Sequence, residues 1–247
     1  MSPASRKKHK NSVLSSNSSS VQDYVKAIYT FTEWQDRPVS SSVLAARLGV
    51  ANSSVSEMVR KLVELGLVAH EPYGDVELTE PGRRLALAMV RRHRLLETYL
   101  VNELGYAWDE VHEEAELLEH TVSDKMIERI AAKLGNPGRD PHGDPIPAAD
   151  GSVTVPRAWR LPDLDEGHTG RITRISDADP ALLRFLQAEN ISLDDPVRMI
   201  GRRPFGGALV VSVGTADAGR ELDLGDEAAA ALWISSDHPH PGCVIGH

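Results

Sequence analysis

Apolar residues between Val21 and Phe31 (Val21, Tyr24, Val25, Ile28, Tyr29 and Phe31) recur mostly at intervals of three and four, which predicts a helix opened by Ser20 or Gln22 and closing near Glu33 to Arg37. Two shorter helices are expected next, Ser42 to Leu48 stopped by Gly49 and Val55 to Leu65 stopped by Gly66. Together they make a helix-turn-helix. Extended runs at Leu67 to Glu71 and Val76 to Thr79 flank Pro72-Tyr73-Gly74-Asp75, a turn signal that adds a two-stranded wing. Pro81 then begins a long helix to about Leu104, with Thr79 as its cap, and a second is expected from Asp109 to Leu134. Both carry more apolar surface than one stripe buries, so an interface with a second copy is expected. NPGRDPHGDPIPAADG interrupts the helical pattern as an ordered linker. Beyond about Pro156, short β-like runs at 170–175, 196–201, 208–213 and 221–224, spaced by turns and one short helix at Pro180 to Ala188, predict a small β-barrel.

Size and charge narrow the function. At 247 residues and 41% hydrophobic the chain supports two or more domains, and no run of about 18 apolar residues suits a membrane span. The basic N-terminus lacks the apolar stretch of a secretory signal, so a cytoplasmic location is expected. The net charge of -9 is uneven: residues 1–135 sum to -2 and residues 136–247 to -7. Arg6, Lys7, Lys8 and Lys10 form a basic arm suited to phosphate contacts or to solubility. Cys243, His238, His240 and His247 lie in a Pro/Gly/His tail and read as incidental.

Candidate chemistry concentrates on the two long helices. VHEEAELLEH places His112, Glu116 and His120 at i, i+4 and i+8 with Glu119 beside them, and RRHRLLETY places His93 and Glu97 at i and i+4. Alone, the first run suits a solvated acidic helix as well as a ligand array; two such helices are a usual way for a helical core to hold a metal. His142 in the linker is a loop residue or a ligand. Asp177 and Asp179, ahead of Pro180, are turn and capping residues or hard-metal ligands. In the helix-turn-helix, Ser41, Asn52, Ser53, Ser54, Ser56, Arg60 and Lys61 are the candidates to meet DNA, with Asn52 also a candidate N-cap. The barrel region shows no nucleophile motif and no Gly-rich phosphate loop.

This order of winged helix, paired His/Glu helices, DPHGDPIP linker and terminal barrel resembles the diphtheria toxin repressor family of metal-activated transcription factors, from about Val21 to near the end of the chain. The resemblance implies an α+β protein: a basic arm (1–20), a winged helix-turn-helix (21–80), a helical dimerisation and metal-binding domain (81–138), a Pro-rich linker (139–165), an SH3-like, FeoA-like barrel (166–235) and a tail (236–247). It implies a regulatory metal site at Asp23, Glu116, Glu119 and His120. An ancillary site is implied at His93, Glu97 and His112, completed from around Asp177 to Asp179. Carboxylates at Asp23 and Glu116, where iron-responsive members carry Met and Cys, resemble the manganese-responsive branch and suit Mn²⁺, with Fe²⁺, Co²⁺, Zn²⁺ and Cd²⁺ accepted in vitro. Lys26 departs from members that place a Glu there for a second ion.

The implied activity is repression of metal-homeostasis genes, those for manganese uptake first, by a homodimer on double-stranded operator DNA, with no membrane and no small-molecule substrate. In the implied mechanism Asp23, Glu116 and Glu119 repel one another without metal and leave the first helix free, while an ion neutralises and fixes them. An iron-activated repressor is the alternative within the family. A metallohydrolase would need an open coordination position and a cleft, and a protein-binding scaffold would ignore DNA.

Overall fold

Residues 18–34, 38–71, 74–215 and 219–235 are described in the computed structural model; residues 1–17 with the basic cluster of the arm, 35–37, 72–73, 216–218 and the His-rich tail lie outside them. Two units divide the chain, residues 1–93 with 119–122 and 147–152, and residues 94–118 with 123–146 and 153–247.

In the first unit, α1 (Ser19–Glu33) buries Val21, Tyr24, Val25 and Ile28, the stripe its spacing predicts. The helix-turn-helix pair is α2 (Ser41–Leu48) and α3 (Asn52–Glu64). Ser40 caps α2 by accepting the Val43 N–H, and Gly49 ends it at φ 64°, a left-handed turn that a side chain would resist. β1 (Val68–His70) and β2 (Val76–Leu78) pair antiparallel as the wing, with Val68 opposite Leu78. α1 packs on α2 and β2, and α3 on α2 and β1, over Leu44, Val55, Val59 and Leu62. The long helix α4 (Glu80–Leu104) begins where Thr79 Oγ1 accepts the Gly82 N–H, as its sequence predicts.

The expected helix from Asp109 to Leu134 is instead two, α5 (Val111–Glu119) and α6 (Asp124–Lys133). The break has local causes. Ser123 Oγ accepts the Met126 N–H as a new N-cap, and the Arg92 guanidinium bonds the Glu119 and Val122 carbonyls, replacing helical partners there. β-Branched Thr121 and Val122 add no helical preference to oppose it.

In the second unit, six antiparallel strands follow the order β3-β8-β4-β5-β6-β7: β3 (Trp159–Arg160), β4 (Thr169–Ile175), β5 (Pro196–Arg202), β6 (Leu209–Val213), β7 (Arg220–Leu224) and β8 (Leu232–Ile234). The expected barrel is thus an open sheet among the described residues, since β3 and β7 are its edges rather than partners. Irregular register in β4 at Ile172/Arg174 and in β5 at Met199/Gly201 bends it. The helices α7 (Pro180–Ala188) and α8 (Asp226–Ala230) complete the unit. Its core gathers Ile172, Ile175, Leu183, Leu186, Val197, Met199, Leu209, Val211, Leu224 and Ile234. Alternation in β6 places Leu209, Val211 and Val213 in that core.

Candidate metal centres and nucleic-acid interface

The first unit assembles a cluster on α1, α4 and the end of α5. His120 Nε2 lies 2.8 Å from Asp23 Oδ1, and its Nδ1 lies 2.9 Å from Gln22 Oε1. Glu119 is fully buried between two partners: Lys26 Nζ donates to its Oε1 at 2.6 Å, and His93 Nδ1 sits 2.7 Å from its Oε2. Burial pushes the Glu119 carboxyl up, but the hydrogen bond and charge of His93, with those of Lys26, hold it below the usual carboxylate range. Ligand atoms of Asp23, Glu119 and His120 lie within 4.8 Å of one another.

His93, expected at the ancillary site, also bonds Glu119, expected at the regulatory one. The carboxylates expected to repel one another are compensated, because Lys26 contributes a cation and two imidazoles face the acids.

In the second unit, Glu97 centres another cluster. His112 Nδ1 is 3.2 Å from Glu97 Oε1 and 3.5 Å from Asp177 Oδ2, and its Nε2 is 3.6 Å from Glu116 Oε1. The linker joins it. Asp140 Oδ1 accepts the N–H groups of His142 and Asp144, which folds DPHGD into a tight loop. Arg94 donates to the Pro145 carbonyl at 2.6 Å, and Arg174 bonds Asp144 at 2.7 Å, securing the loop from two sides. His142, wholly buried, donates from Nε2 to the Trp108 carbonyl at 2.8 Å and stacks on the Trp108 ring.

That bond leaves His142 Nδ1 buried with no hydrogen-bond partner. Ligand atoms of Glu97, Asp140 and His142 fall within 4.8 Å of one another. An imidazole held from one nitrogen by a carbonyl, with its other nitrogen facing buried carboxylates, is a metal ligand's arrangement. Burial, then the charges of Asp144 and Glu97, push the Asp140 carboxyl up to about 8. Burial pushes the His142 imidazole down, and the Asp140, Glu97 and Asp177 charges more than reverse it. Burial also raises the Asp177 carboxyl, but His142, His112 and Arg174 outweigh that and leave it low. The set of carboxylates and imidazoles fits a divalent cation of the hard or borderline kind.

Asp179 is not part of this cluster. Its Oδ1 accepts the Ala181 N–H as the cap of α7. Asp140 was missed in the sequence, and its signal was DPHGD itself: two acids around a histidine in a turn, aimed back at Glu97 by contacts no local pattern encodes.

On the winged helix, Asn52, Ser53, Ser54, Ser56 and Arg60 are exposed on the N-terminal and outer part of α3, and Lys61 is half-buried. Asn52 is the first helical residue and not the cap: Ala51 holds that place without a side-chain bond. Ser56 Oγ donates to the Asn52 carbonyl, and Ser41 is the half-buried first residue of α2.

Three family profiles match the chain: "Iron dependent repressor, N-terminal DNA binding domain" over residues 17–76, "Iron dependent repressor, metal binding and dimerisation domain" over 79–148, and "FeoA domain" over 159–236. The diphtheria toxin repressor of Corynebacterium glutamicum is 34% identical over 222 residues, 85% of this chain and 93% of that protein. The iron-dependent repressor IdeR of Mycobacterium tuberculosis is 34% identical over 157 residues, 64% of this chain and 66% of its own length. Among solved structures, a manganese-dependent transcriptional repressor in complex with manganese is 57% identical with a TM-score of 0.83, covering 87% of this chain and 99% of that one. The manganese regulator SloR is 34% identical with a TM-score of 0.73, covering 87% and 98%. With a relative matched over nearly its whole length and all three profiles in the order the sequence predicts, the chain belongs to the diphtheria toxin repressor family.

Proposed function

We propose that this protein is a manganese-activated, DNA-binding repressor of metal-homeostasis genes, acting in the cytoplasm as a homodimer on palindromic operator DNA and carrying no catalytic activity. The observation that carries the reading is the all-oxygen-and-nitrogen donor set of the first cluster, in which α1, the helix at the base of the DNA-binding fold, supplies Asp23. Likeness to solved manganese-dependent repressors supports the choice of ion, and the DNA-binding and dimerisation profiles support the partners.

Asp23, Glu119 and His120, with His93, form the proposed regulatory set, to which the family resemblance adds Glu116. Glu97, His112, Asp140, His142 and Asp177 form the proposed ancillary set. A bound divalent ion would supply positive charge that the buried carboxylates otherwise draw from Lys26 and the imidazoles. Asp23 ties α1 to His120, so occupancy of this set fixes the orientation of α1 and with it the α2-α3 pair that α1 packs on. Ser53, Ser54 and Ser56 allow close approach to the duplex, while Arg60 and Lys61 meet phosphates. A gel shift on duplexes selected from a random library in Mn²⁺ tests this. Retention in Mn²⁺ that disappears in chelator is expected, and equal retention in both refutes it.

A further inference from the structure

Lys26 lies one turn after Asp23 on α1, three residues on, so both side chains leave the helix on one face. Its ammonium is 2.6 Å from Glu119 Oε1, its side chain is 11% exposed, and Glu119 is not exposed at all. The other oxygen of Glu119 is taken by His93 Nδ1 at 2.7 Å, and His120 Nε2 is 3.5 Å from the Lys26-bound oxygen. A carboxylate that bridges two metal ions gives one oxygen to each. Here the oxygen facing α1, Oε1, already holds a tethered monovalent cation, whose burial Glu119 helps to compensate.

We infer that Lys26 is a built-in cation of the regulatory cluster: its ammonium fills the place of a second metal ion on Glu119, limits the cluster to one divalent ion and sets the concentration at which that ion is taken up. The inference rests on the proposed reading of Asp23, Glu119 and His120 as a metal set. The Glu119 oxygen nearest His120 Nε2 is Oε1, so an ion bound through Asp23 Oδ1 and His120 Nε2 reaches it by sharing Oε1 with the ammonium or displacing it. Repulsion between a divalent ion and an ammonium about 5 Å apart weakens binding by at least roughly tenfold even at the dielectric constant of water. Lys26 therefore trades affinity for two properties. The apo cluster stays paired, and uptake occurs only when the free ion is abundant enough to overcome the lysine.

The test compares the full-length protein with its Lys26→Glu, Lys26→Met and Asp23→Ala variants by equilibrium dialysis against Mn²⁺ and by electron paramagnetic resonance of the bound ion. Lys26→Glu should hold one more Mn²⁺ per chain than the parent and show an exchange-coupled pair, absent from the parent. Lys26→Met keeps the length of the side chain without its charge. It should keep the parent count and bind the ion that Asp23→Ala loses at least about tenfold more tightly. A Lys26→Glu protein with the parent count and no coupled signal overturns the inference. So does a Lys26→Met protein with unchanged affinity, which decides the matter if Lys26→Glu does not fold. If Asp23→Ala binds as many ions as the parent, the reading of the cluster itself has failed, whatever Lys26 does.

Discussion

Replacing Glu119 by Ala in the metal-free protein should cost far more stability than replacing Asp23, although both are acids of one cluster. Glu119 is fully buried and pairs with Lys26, whose side chain is 11% exposed, and with His93, whose side chain is 9% exposed. Removing one member of a buried pair leaves the other charge uncompensated, a loss of about 3–5 kcal/mol. The lower end, about 3 kcal/mol, applies because the ammonium retains some access to water. For a chain of this size each kcal/mol moves Tm by roughly 2–4 °C, so the expected fall is about 6–12 °C. Asp23 pairs with His120 at 2.8 Å, but its side chain is 35% exposed, and a pair so placed contributes about 0–1 kcal/mol once solvent screening is allowed for. Calorimetry in chelator, at one fixed protomer concentration, separates the two. A Glu119→Ala protein melting within about 2 °C of the parent would refute the argument that this pairing holds α1 in the apo state.

Other substitutions probe the remaining elements. Asp23→Ala should lose Mn²⁺-dependent DNA binding in a gel shift yet remain a dimer by ultracentrifugation. His112→Ala should keep part of that binding but lose up to about 2.7 kcal/mol of the stabilisation that Mn²⁺ at 100 times its dissociation constant confers, read by melting with and without the ion. Arg60→Ala should weaken binding by a similar factor on every duplex tested and flatten its salt dependence, as a lost phosphate contact does. Gly170→Ala should destabilise the sheet unit by several kcal/mol in a denaturant titration, because a Cβ there would collide with the Ser235 carbonyl oxygen.

Much of this architecture was legible because it rests on local periodicity. The stripe from Val21 to Ile28 and the Gly49 stop each follow from residues a few positions apart, and the structure keeps them. What escaped depends on contacts distant in sequence. The two-residue β3 carries too little pattern to be seen, and exists because Trp159 pairs with Ile234. The break after α5 needs Arg92, 27 residues upstream, to take the Glu119 carbonyl. The candidate site divided in the same way. His93, Glu97, His112, Glu116 and His120 announce themselves by helical spacing, whereas Lys26 meets Glu119 across 93 residues. His142 enters its cluster only because the Asp140 turn and Arg94 fold the linker back.

The central claim is that a carboxylate and imidazole set makes this chain respond to manganese, and a metal-by-metal titration of DNA binding tests it most directly. Fluorescence anisotropy of a selected duplex would follow the protein in chelator and in buffered Mn²⁺, Fe²⁺, Co²⁺ and Zn²⁺. Tightness of metal binding alone does not decide, since the divalent series favours Zn²⁺ over Mn²⁺ at most sites; the readout is the DNA affinity reached at saturation. The account predicts no specific binding in chelator and full activation by Mn²⁺, with Asp23→Met combined with Glu116→Cys shifting the activating preference toward Fe²⁺. Equal DNA affinity in chelator and in Mn²⁺, or a metal ranking unchanged in the double variant, would contradict it.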